Sequence, residues 1–365
     1  MQSIILGIDN LSRALEGASK VLVVCDNSYP FLNIKEYIDS LPVQKVFFNR
    51  FFSNPLYESV CDGVDVFNAE HCDTIIAVGG GSAIDVAKCI KLYCRMPADG
   101  LYLNQPYQDS GVRLIAVPTT AGTGSESTRF AVIYYDGKKQ SVTHDSIVPN
   151  IAILEPKVLE TLSLYQKKCT MMDALCQGIE SWWSVNSTDE SKRYSKIAVE
   201  TIMQNWRDYI FNNSATAAEK IMLAANYSGR AICISQTTAP HAFSYKITSM
   251  YGLPHGHAVA VCLPEIWEYM LQGSDNCADP RGWDYVNSIF NDIAKAMDAT
   301  NAIEAISLFR SLLSSLGLDG PNTMGNREEE ISILSESVNP VRLANNPIFL
   351  SKEAIYELYN IIQIH

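Results

Sequence analysis

Histidine is scarce in this chain, and neither paired cysteines nor long apolar runs occur in it. The ten cysteines are scattered, none forms a C-x-x-C pair, and several lie in apolar runs where a thiol packs as a small hydrophobe. No apolar run reaches the roughly 18 residues of a membrane span. Residues 1–17 lack the basic and then apolar stretches of a secretory signal. We therefore expect a cytoplasmic protein with free thiols and no membrane association.

An excess of positive charge is also lacking. The net charge is −12 and the sequence pI is about 5.0, which argues against nucleic acid as the main partner because phosphate binding needs a basic face. A small anionic substrate, which needs only a few local cations, is not excluded. The length of 365 residues favours two domains, and 47% hydrophobic residues can form a large core.

The first part of the chain alternates short apolar runs with helical stretches. This alternation predicts a parallel sheet with helices on both faces. Few strand signals follow residue 156, where long helical patterns begin, so we place an α/β domain at 1–156 and an all-helical domain at 157–365. The predicted strands are 20–26, 45–48, 73–78, 113–118 and 150–154, with a hairpin at 130–142.

Glycine and hydroxyl residues follow two of these strands, at the sheet edge where α/β proteins bind ligands. Gly79, Gly80 and Gly81 let the backbone approach a pyrophosphate, and Ser82 is expected to cap the helix that follows. The alternative is a tight turn without a ligand. The hydroxyls that follow the neighbouring strand belong to Thr119, Thr120, Thr123 and Ser125.

An acid at the end of the first of these strands bears on which nicotinamide cofactor is used. The carboxylate of Asp26 is placed to accept hydrogen bonds from ribose hydroxyls, which favours NAD over NADP. The alternative is that Asp26 only caps a turn.

Three of the six histidines, His241, His255 and His257, fall in one window at 240–257. On one straight helix His241 and His255 would be about 21 Å apart, at roughly 1.5 Å per residue. Gly252 and Pro254 break that helix, so the chain can turn back and bring the two imidazoles together. Asp173, on an upstream helix, would complete a metal site with an open position. The alternative gives each of these side chains a packing or capping role.

Four segments together resemble the iron-dependent, group III alcohol dehydrogenases. They are GGGSAIDVAK (79–88), PTTAGTGSE (118–126), MDALCQGIES (172–181) and HAFSYKITSMYGLPHG (241–256). The resemblance implies an N-terminal Rossmann-like domain, an all-α C-terminal domain and an active site in the interdomain cleft. It also implies a homo-oligomer, dimeric or larger.

The resemblance further implies roles for particular residues. It places Gly79–Ser82, Asp85, the three threonines Thr119, Thr120 and Thr123, and Lys139 at an NAD(H) or NADP(H) site, with NAD favoured. It assigns one Fe²⁺ or Zn²⁺ ion to Asp173, His241 and His255. Gln177 stands where the family has its first histidine, and an amide oxygen is a weaker ligand. Tyr245 stands where many relatives have a proton-relaying histidine, and Tyr245 and His257 are the candidate catalytic residues.

A narrower resemblance concerns the substrate. IESWWSVNSTDES (179–191), HAFSYKITS (241–249) and HGHAV (255–259) are similar to the phosphonoacetaldehyde reductase subgroup, which makes 2-hydroxyethylphosphonate. Arg129 and Lys246 would supply two cations for a phosphonate. The alternatives are a general short-chain alcohol or polyol dehydrogenase, a cyclase or lyase of the dehydroquinate synthase type, and a cofactor-binding protein without activity.

Overall fold

A computed structural model describes residues 2–338 and 340–362. The chain forms two compact units. One unit comprises the residues up to Ser163 together with Asn213–Gly229, and the other comprises Leu164–Asn212 and the residues from Arg230 onward. The domain boundary at residue 157 stays a prediction, and nothing in the sequence pattern indicated that Asn213–Gly229 belongs with the first unit.

A parallel sheet forms the centre of the first unit. Its order in the described part of the chain is β1-β8-β5-β4-β2-β3, with a separate antiparallel pair β6-β7. The strands are β1 Ser3–Leu6, β2 Lys20–Cys25, β3 Gln44–Phe48, β4 Thr74–Gly79, β5 Arg113–Pro118, β6 Phe130–Tyr135, β7 Lys138–Thr143 and β8 Ile151–Leu154. The α-helices that precede β5 in the chain are α1 Leu11–Ala14, α2 Lys35–Ser40, α3 Tyr57–Ala69 and α4 Gly81–Tyr93.

The central strands are apolar along their whole length because helices cover both faces of a parallel sheet. All six residues of β4 are buried, as are five of the six in each of β2 and β5. The predicted parallel sheet is therefore confirmed. The prediction missed β1, because a four-residue strand at the sheet edge with two exposed positions carries little pattern.

The glycines at the end of β4 begin a helix earlier than expected. The cap residue of α4 is Gly80, and it makes no side-chain capping bond. Ser82 lies inside the first turn of α4, so the expectation that it caps this helix was wrong. Three successive glycines let the backbone enter the helix without a capping side chain.

Helices make up the second unit, as predicted. In chain order the helices after β8 are α5 Leu164–Trp183, α6 Asp189–Phe211, α7 Ala215–Ser235, α8 Ala239–Tyr251, α9 His255–Leu271, α10 Trp283–Ala296, α11 Ala302–Leu316, α12 Arg327–Glu336, α13 Pro340–Leu343 and α14 Lys352–Ile361. Most of α7, the part that precedes Arg230, lies in the first unit. Among the described residues, no helix combines the length and apolar character that a bilayer crossing requires. All ten cysteines are free thiols.

Candidate metal centre and cofactor-binding edge

The carboxyl ends of β2, β4 and β5 bring Asp26, the glycine turn and Thr119 together. A Cβ built on Gly79 would lie 2.9 Å from Oδ2 of Asp26 and 2.7 Å from the Cβ of Ala83, and Gly79 has a φ of +154°. The Thr119 amide donates to the carbonyl oxygen of Gly79 at 3.1 Å. Only glycine therefore fits between Asp26, the acid that follows β2, and the start of α4.

The two other threonines lie against the same turn. A Cβ on Gly80 would be 3.6 Å from Thr120, and one on Gly81 would be 3.1 Å from Thr123. The structure thus gathers most of the predicted cofactor residues at one edge of the sheet. Cofactor binding by them stays a prediction.

Asp85 has a different environment from the glycine turn. Its Oδ1 accepts from the Ser125 hydroxyl at 2.6 Å and its Oδ2 accepts from the Val132 amide at 2.9 Å. Asp85 therefore ties α4 to the segment after β5 and to β6. The charge of Lys139, an exposed residue of β7, acts on this carboxylate. Contact of Asp85 or Lys139 with a cofactor stays a prediction.

A tight turn between α8 and α9 places His241 beside His255. Gly252 ends α8 in the left-handed conformation at φ +71°, and α9 begins at His255 directly after Pro254. The two imidazole centroids are 5.1 Å apart. The predicted reversal of the chain is confirmed, and helix-breaking residues cause it.

Asp173 on α5 completes this cluster. Single ligand atoms of Asp173, His241 and His255 all lie within 4.8 Å of one another, as the ligands of one ion would. Oδ1 of Asp173 is 3.4 Å from Nε2 of His241 and 3.9 Å from Nε2 of His255. Gly256 makes this possible, because a Cβ there would stand 2.0 Å from the carbonyl oxygen of Cys169, one turn before Asp173.

The protonation of this cluster is set by its charges. Burial opposes a proton on His241, but Glu180 and Asp173 outweigh burial and raise the pKa of His241 to about 9. Burial likewise works against ionisation of Asp173, yet the neighbouring imidazoles of His241 and His255 hold its pKa below the ordinary value. A buried anion thus faces two imidazoles.

Two buried oxygens in the cluster have no hydrogen-bond partner among the described residues. They are Oδ1 of Asp173 and Oε1 of Gln177, and both side chains are 3% exposed. Buried acceptors without partners are costly, and a cation would satisfy both. The donor set of carboxylate, imidazole and amide oxygen therefore fits a divalent metal such as Fe²⁺ or Zn²⁺.

Glu180 is a residue of this site that the sequence analysis missed. It is fully buried, its Oε1 accepts from Nδ1 of His241, and its Oε2 accepts from the amide of Thr238 at 2.8 Å. A signal was present in the sequence. Asp173, Gln177 and Glu180 follow i, i+4, i+7 spacing, which places three polar side chains on one face of the buried part of α5.

The two candidate catalytic residues lie in different surroundings. The ring of Tyr245 stacks on His255 with centroids 5.8 Å apart. His257 bonds through both ring nitrogens, at 2.8 Å to the Tyr165 hydroxyl and at 2.8 Å to the carbonyl oxygen of Asp319. Burial lowers the pKa of His257. These bonds make His257 a residue that ties α5 and α9 to the segment after α11, and its catalytic role stays a prediction.

The two candidate substrate cations belong to different units. Arg129 pairs with Asp145 at 3.2 Å in the first unit. Lys246 follows Tyr245 on α8, is half-buried, and forms no ion pair with any residue that the structure describes. Phosphonate binding by either residue stays a prediction.

Family models match both parts of the chain. Residues 4–156 match the model of the iron-containing alcohol dehydrogenases, and residues 168–362 match the model of the C-terminal part of the Fe-containing alcohol dehydrogenase family. Phosphonoacetaldehyde reductase from Streptomyces viridochromogenes is 34% identical over 80% of this chain and 76% of that protein. NAD-dependent methanol dehydrogenase from Bacillus methanolicus is 28% identical over 88% of this chain and 86% of that protein.

Solved structures have the same fold. An iron-containing alcohol dehydrogenase from Thermococcus thioreducens superimposes with a TM-score of 0.88 at 23% identity, covering 99% of this chain and 98% of that one. Sulfoacetaldehyde reductase from Bifidobacterium kashiwanohense, in complex with NAD⁺, gives 0.87 at 24% identity, covering 99% of this chain and 96% of that one. At these identities the likeness concerns the fold alone.

Proposed function

Because the chain belongs to the iron-containing alcohol dehydrogenase family, we propose that it interconverts a small aldehyde and its primary alcohol with a nicotinamide cofactor and one divalent metal ion. The observation that carries this proposal is the cluster of Asp173, His241 and His255, whose ligand atoms lie within 4.8 Å of one another. A cyclase, a lyase and a protein without activity have no support from the family match.

Asp173, His241 and His255 would hold the metal, with Gln177 as a fourth candidate ligand. A bound Fe²⁺ or Zn²⁺ supplies Lewis-acid polarisation of a carbonyl oxygen. The protein contributes a buried carboxylate that attracts the cation and a Glu180–His241 bond that fixes one imidazole. The Tyr245 hydroxyl is the proton donor that we assign beside His255.

The cofactor would bind at the carboxyl edge of the sheet, since the glycine turn leads directly into α4. The amino end of this helix presents unpaired N–H groups to a pyrophosphate. The nicotinamide carries the hydride. Asp26, held by the Ser28 amide at 2.9 Å, would accept hydrogen bonds from ribose hydroxyls and favour NAD. The NAD-dependent relative supports this preference.

For the substrate, the proposal is phosphonoacetaldehyde, reduced to 2-hydroxyethylphosphonate. The reductase from Streptomyces viridochromogenes supports it, as do the two cations Arg129 and Lys246. The methanol dehydrogenase relative favours a second candidate, a general short-chain alcohol dehydrogenase. An interdomain active site, a homo-oligomer and a cytoplasmic location remain predictions.

NADH oxidation by metal-reconstituted protein separates the two candidate substrates. The assay compares phosphonoacetaldehyde with acetaldehyde, propionaldehyde and glycolaldehyde. An advantage of about 100-fold in kcat/KM, on the order of 2.7 kcal/mol in transition-state binding, is expected for phosphonoacetaldehyde. If kcat/KM is the same for phosphonoacetaldehyde and the uncharged aldehydes, the proposed function is that of a general short-chain alcohol dehydrogenase. Absence of NADH oxidation with every aldehyde would overturn both.

A further inference from the structure

Glu180 connects the cluster of candidate ligands to the buried interior of the second unit. Its Oε2 accepts from the amide of Thr238 at 2.8 Å, the hydroxyl of Thr238 at 3.0 Å and the amide of His241 at 3.4 Å. Its Oε1 accepts from Nδ1 of His241. One carboxylate therefore satisfies two backbone amides at the start of α8 and one nitrogen of a candidate ligand.

The bond at Nδ1 fixes the tautomer of His241. A carboxylate accepts and does not donate, so Nδ1 of His241 keeps its proton, and the proton that the imidazole gives up when a metal binds is the one on Nε2. The lone pair is then on Nε2, the nitrogen that lies 3.4 Å from Oδ1 of Asp173. A histidine ligand commonly donates its other N–H to a carboxylate in this way, which also makes the ligating nitrogen more basic.

We infer that Glu180 is a positioning residue, which holds His241 in the tautomer that ligates the metal through Nε2. This inference rests on the proposed metal-dependent function. The negative charge of Glu180 also makes Nε2 of His241 a stronger donor. This compensates for the weaker donor that the amide oxygen of Gln177 provides. Its own position is secured by Thr238, whose hydroxyl accepts from Nε1 of the buried Trp183 at 2.8 Å.

A glutamine at position 180 separates this role from simple capping of α8. If the amide oxygen takes the place of Oε2, the amides at the start of α8 stay satisfied. The NH₂ group then donates to Nδ1 of His241 and moves the imidazole proton to Nε2, where it blocks ligation. The metal-free fold should therefore survive Glu180→Gln while metal binding weakens.

The test is a Zn²⁺ titration of purified metal-free protein by competition with a chelator, together with the Tm of the metal-free form. We expect Glu180→Gln to raise the Kd for Zn²⁺ by about 10- to 100-fold, with the Tm of the metal-free form close to the parent's. The matched control is Glu190→Gln, which removes an exposed carboxylate from the first turn of α6 in the same unit. Its Kd should equal the parent's.

Three results would overturn the inference. They are an unchanged Kd for Glu180→Gln at an unchanged Tm, an unchanged Kd for that variant at a lowered Tm, and an equal loss of affinity in Glu190→Gln. If Glu180→Gln does not fold, Thr238→Val replaces it, since this change removes the hydroxyl's hydrogen bonds with Glu180 and Trp183 and keeps the side-chain shape. An unchanged Kd in Thr238→Val would then reject the inference.

The parent protein distinguishes this inference from the proposed function. If the parent binds one equivalent of Zn²⁺ and only the comparison of variants fails, Glu180 lacks the assigned role and the proposed function stands. If the parent binds no Zn²⁺, both the metal-dependent function and the inference are wrong.

Discussion

Gly256 lies so close to Asp173 that a Cβ on the glycine would stand 2.7 Å from the Cβ of the aspartate. The backbone of α5 blocks the same position, with the carbonyl oxygen of Cys169 at 2.0 Å. Gly256→Ala should therefore push α9 away from α5 and displace His255 from the other ligands. Overpacking of this kind costs about 1–3 kcal/mol, and we expect at least that loss of stability together with loss of metal binding.

Thermal unfolding and Zn²⁺ titration of Gly256→Ala check this expectation. Gly100→Ala is the control, because an added Cβ there meets only the end of the Gln105 side chain, at 4.0 Å. A Gly256→Ala protein as stable as the parent and with the parent's metal affinity would show that α9 can shift without cost.

His255→Ala should abolish turnover while nicotinamide binding persists. His255 is one of the candidate metal ligands, which lie in the second unit, whereas the glycine turn belongs to the first unit. NADH binding followed by fluorescence, beside NADH oxidation with an aldehyde, gives both readouts. His71→Asn serves as control, since His71 is exposed and has a positive φ that asparagine tolerates. Aldehyde reduction by His255→Ala at the parent's rate would contradict the metal-centred mechanism.

Gln177 should behave as a weak ligand. Its buried Oε1 has no partner among the described residues, so Gln177→Leu, which removes the oxygen at similar volume, is expected to weaken Zn²⁺ binding on the order of tenfold. Gln177→His should tighten binding, because imidazole is a stronger donor than an amide oxygen. Chelator competition measures both variants. Equal Kd values for the parent and Gln177→Leu would remove Gln177 from the ligand set.

Asp73 should give the first unit part of its dependence on pH. Burial favours its neutral form, but hydrogen bonds from the amide and hydroxyl of Ser19 outweigh burial and lower the pKa of Asp73 below its ordinary value. A carboxyl whose pKa is lower in the folded state stabilises the protein above its unfolded pKa of about 3.9. This stabilisation is lost as the pH falls through the folded pKa.

Asp73→Asn is therefore expected to lower the Tm at neutral pH and to have a smaller effect near pH 3. The control is Asp62→Asn, which changes an exposed carboxylate on α3. A deficit of the same size at both pH values would show that the loss comes from the hydrogen-bond geometry and not from the charge.

Much of the architecture was predictable because local patterns determine it. β5 was predicted at its observed bounds, Arg113–Pro118, because an apolar run between turn-forming residues marks a buried strand. The reversal at Gly252 and Pro254 was predictable for a similar reason, since a glycine in the left-handed conformation and a proline just after it favour the end of a helix. The meeting of His241 and His255 followed from that reversal.

The remaining features depend on contacts between distant parts of the chain. A Cβ on Gly124 would lie 2.4 Å from the Cα of Gly229, and the side-chain amide of Asn226 donates to Oε1 of Glu126 at 3.0 Å. These contacts place Asn213–Gly229 in the first unit, and no helical pattern indicates them. Glu180 was missed for the same reason. An acid on a buried helix face has many possible roles, and only the position of His241, 61 residues away, selects among them.

The place of β1 has a consequence for synthesis on the ribosome. This strand precedes the other strands of its sheet in the chain, yet its partner is β8, in a register that pairs Ser3 with Ile151. Bringing such distant segments together costs loop-closure entropy before any contact forms, so the pairing of β1 with β8 is slow. The nascent chain therefore carries an unpaired apolar strand while most of the first unit is translated, and this interval is when premature association between chains is most to be expected.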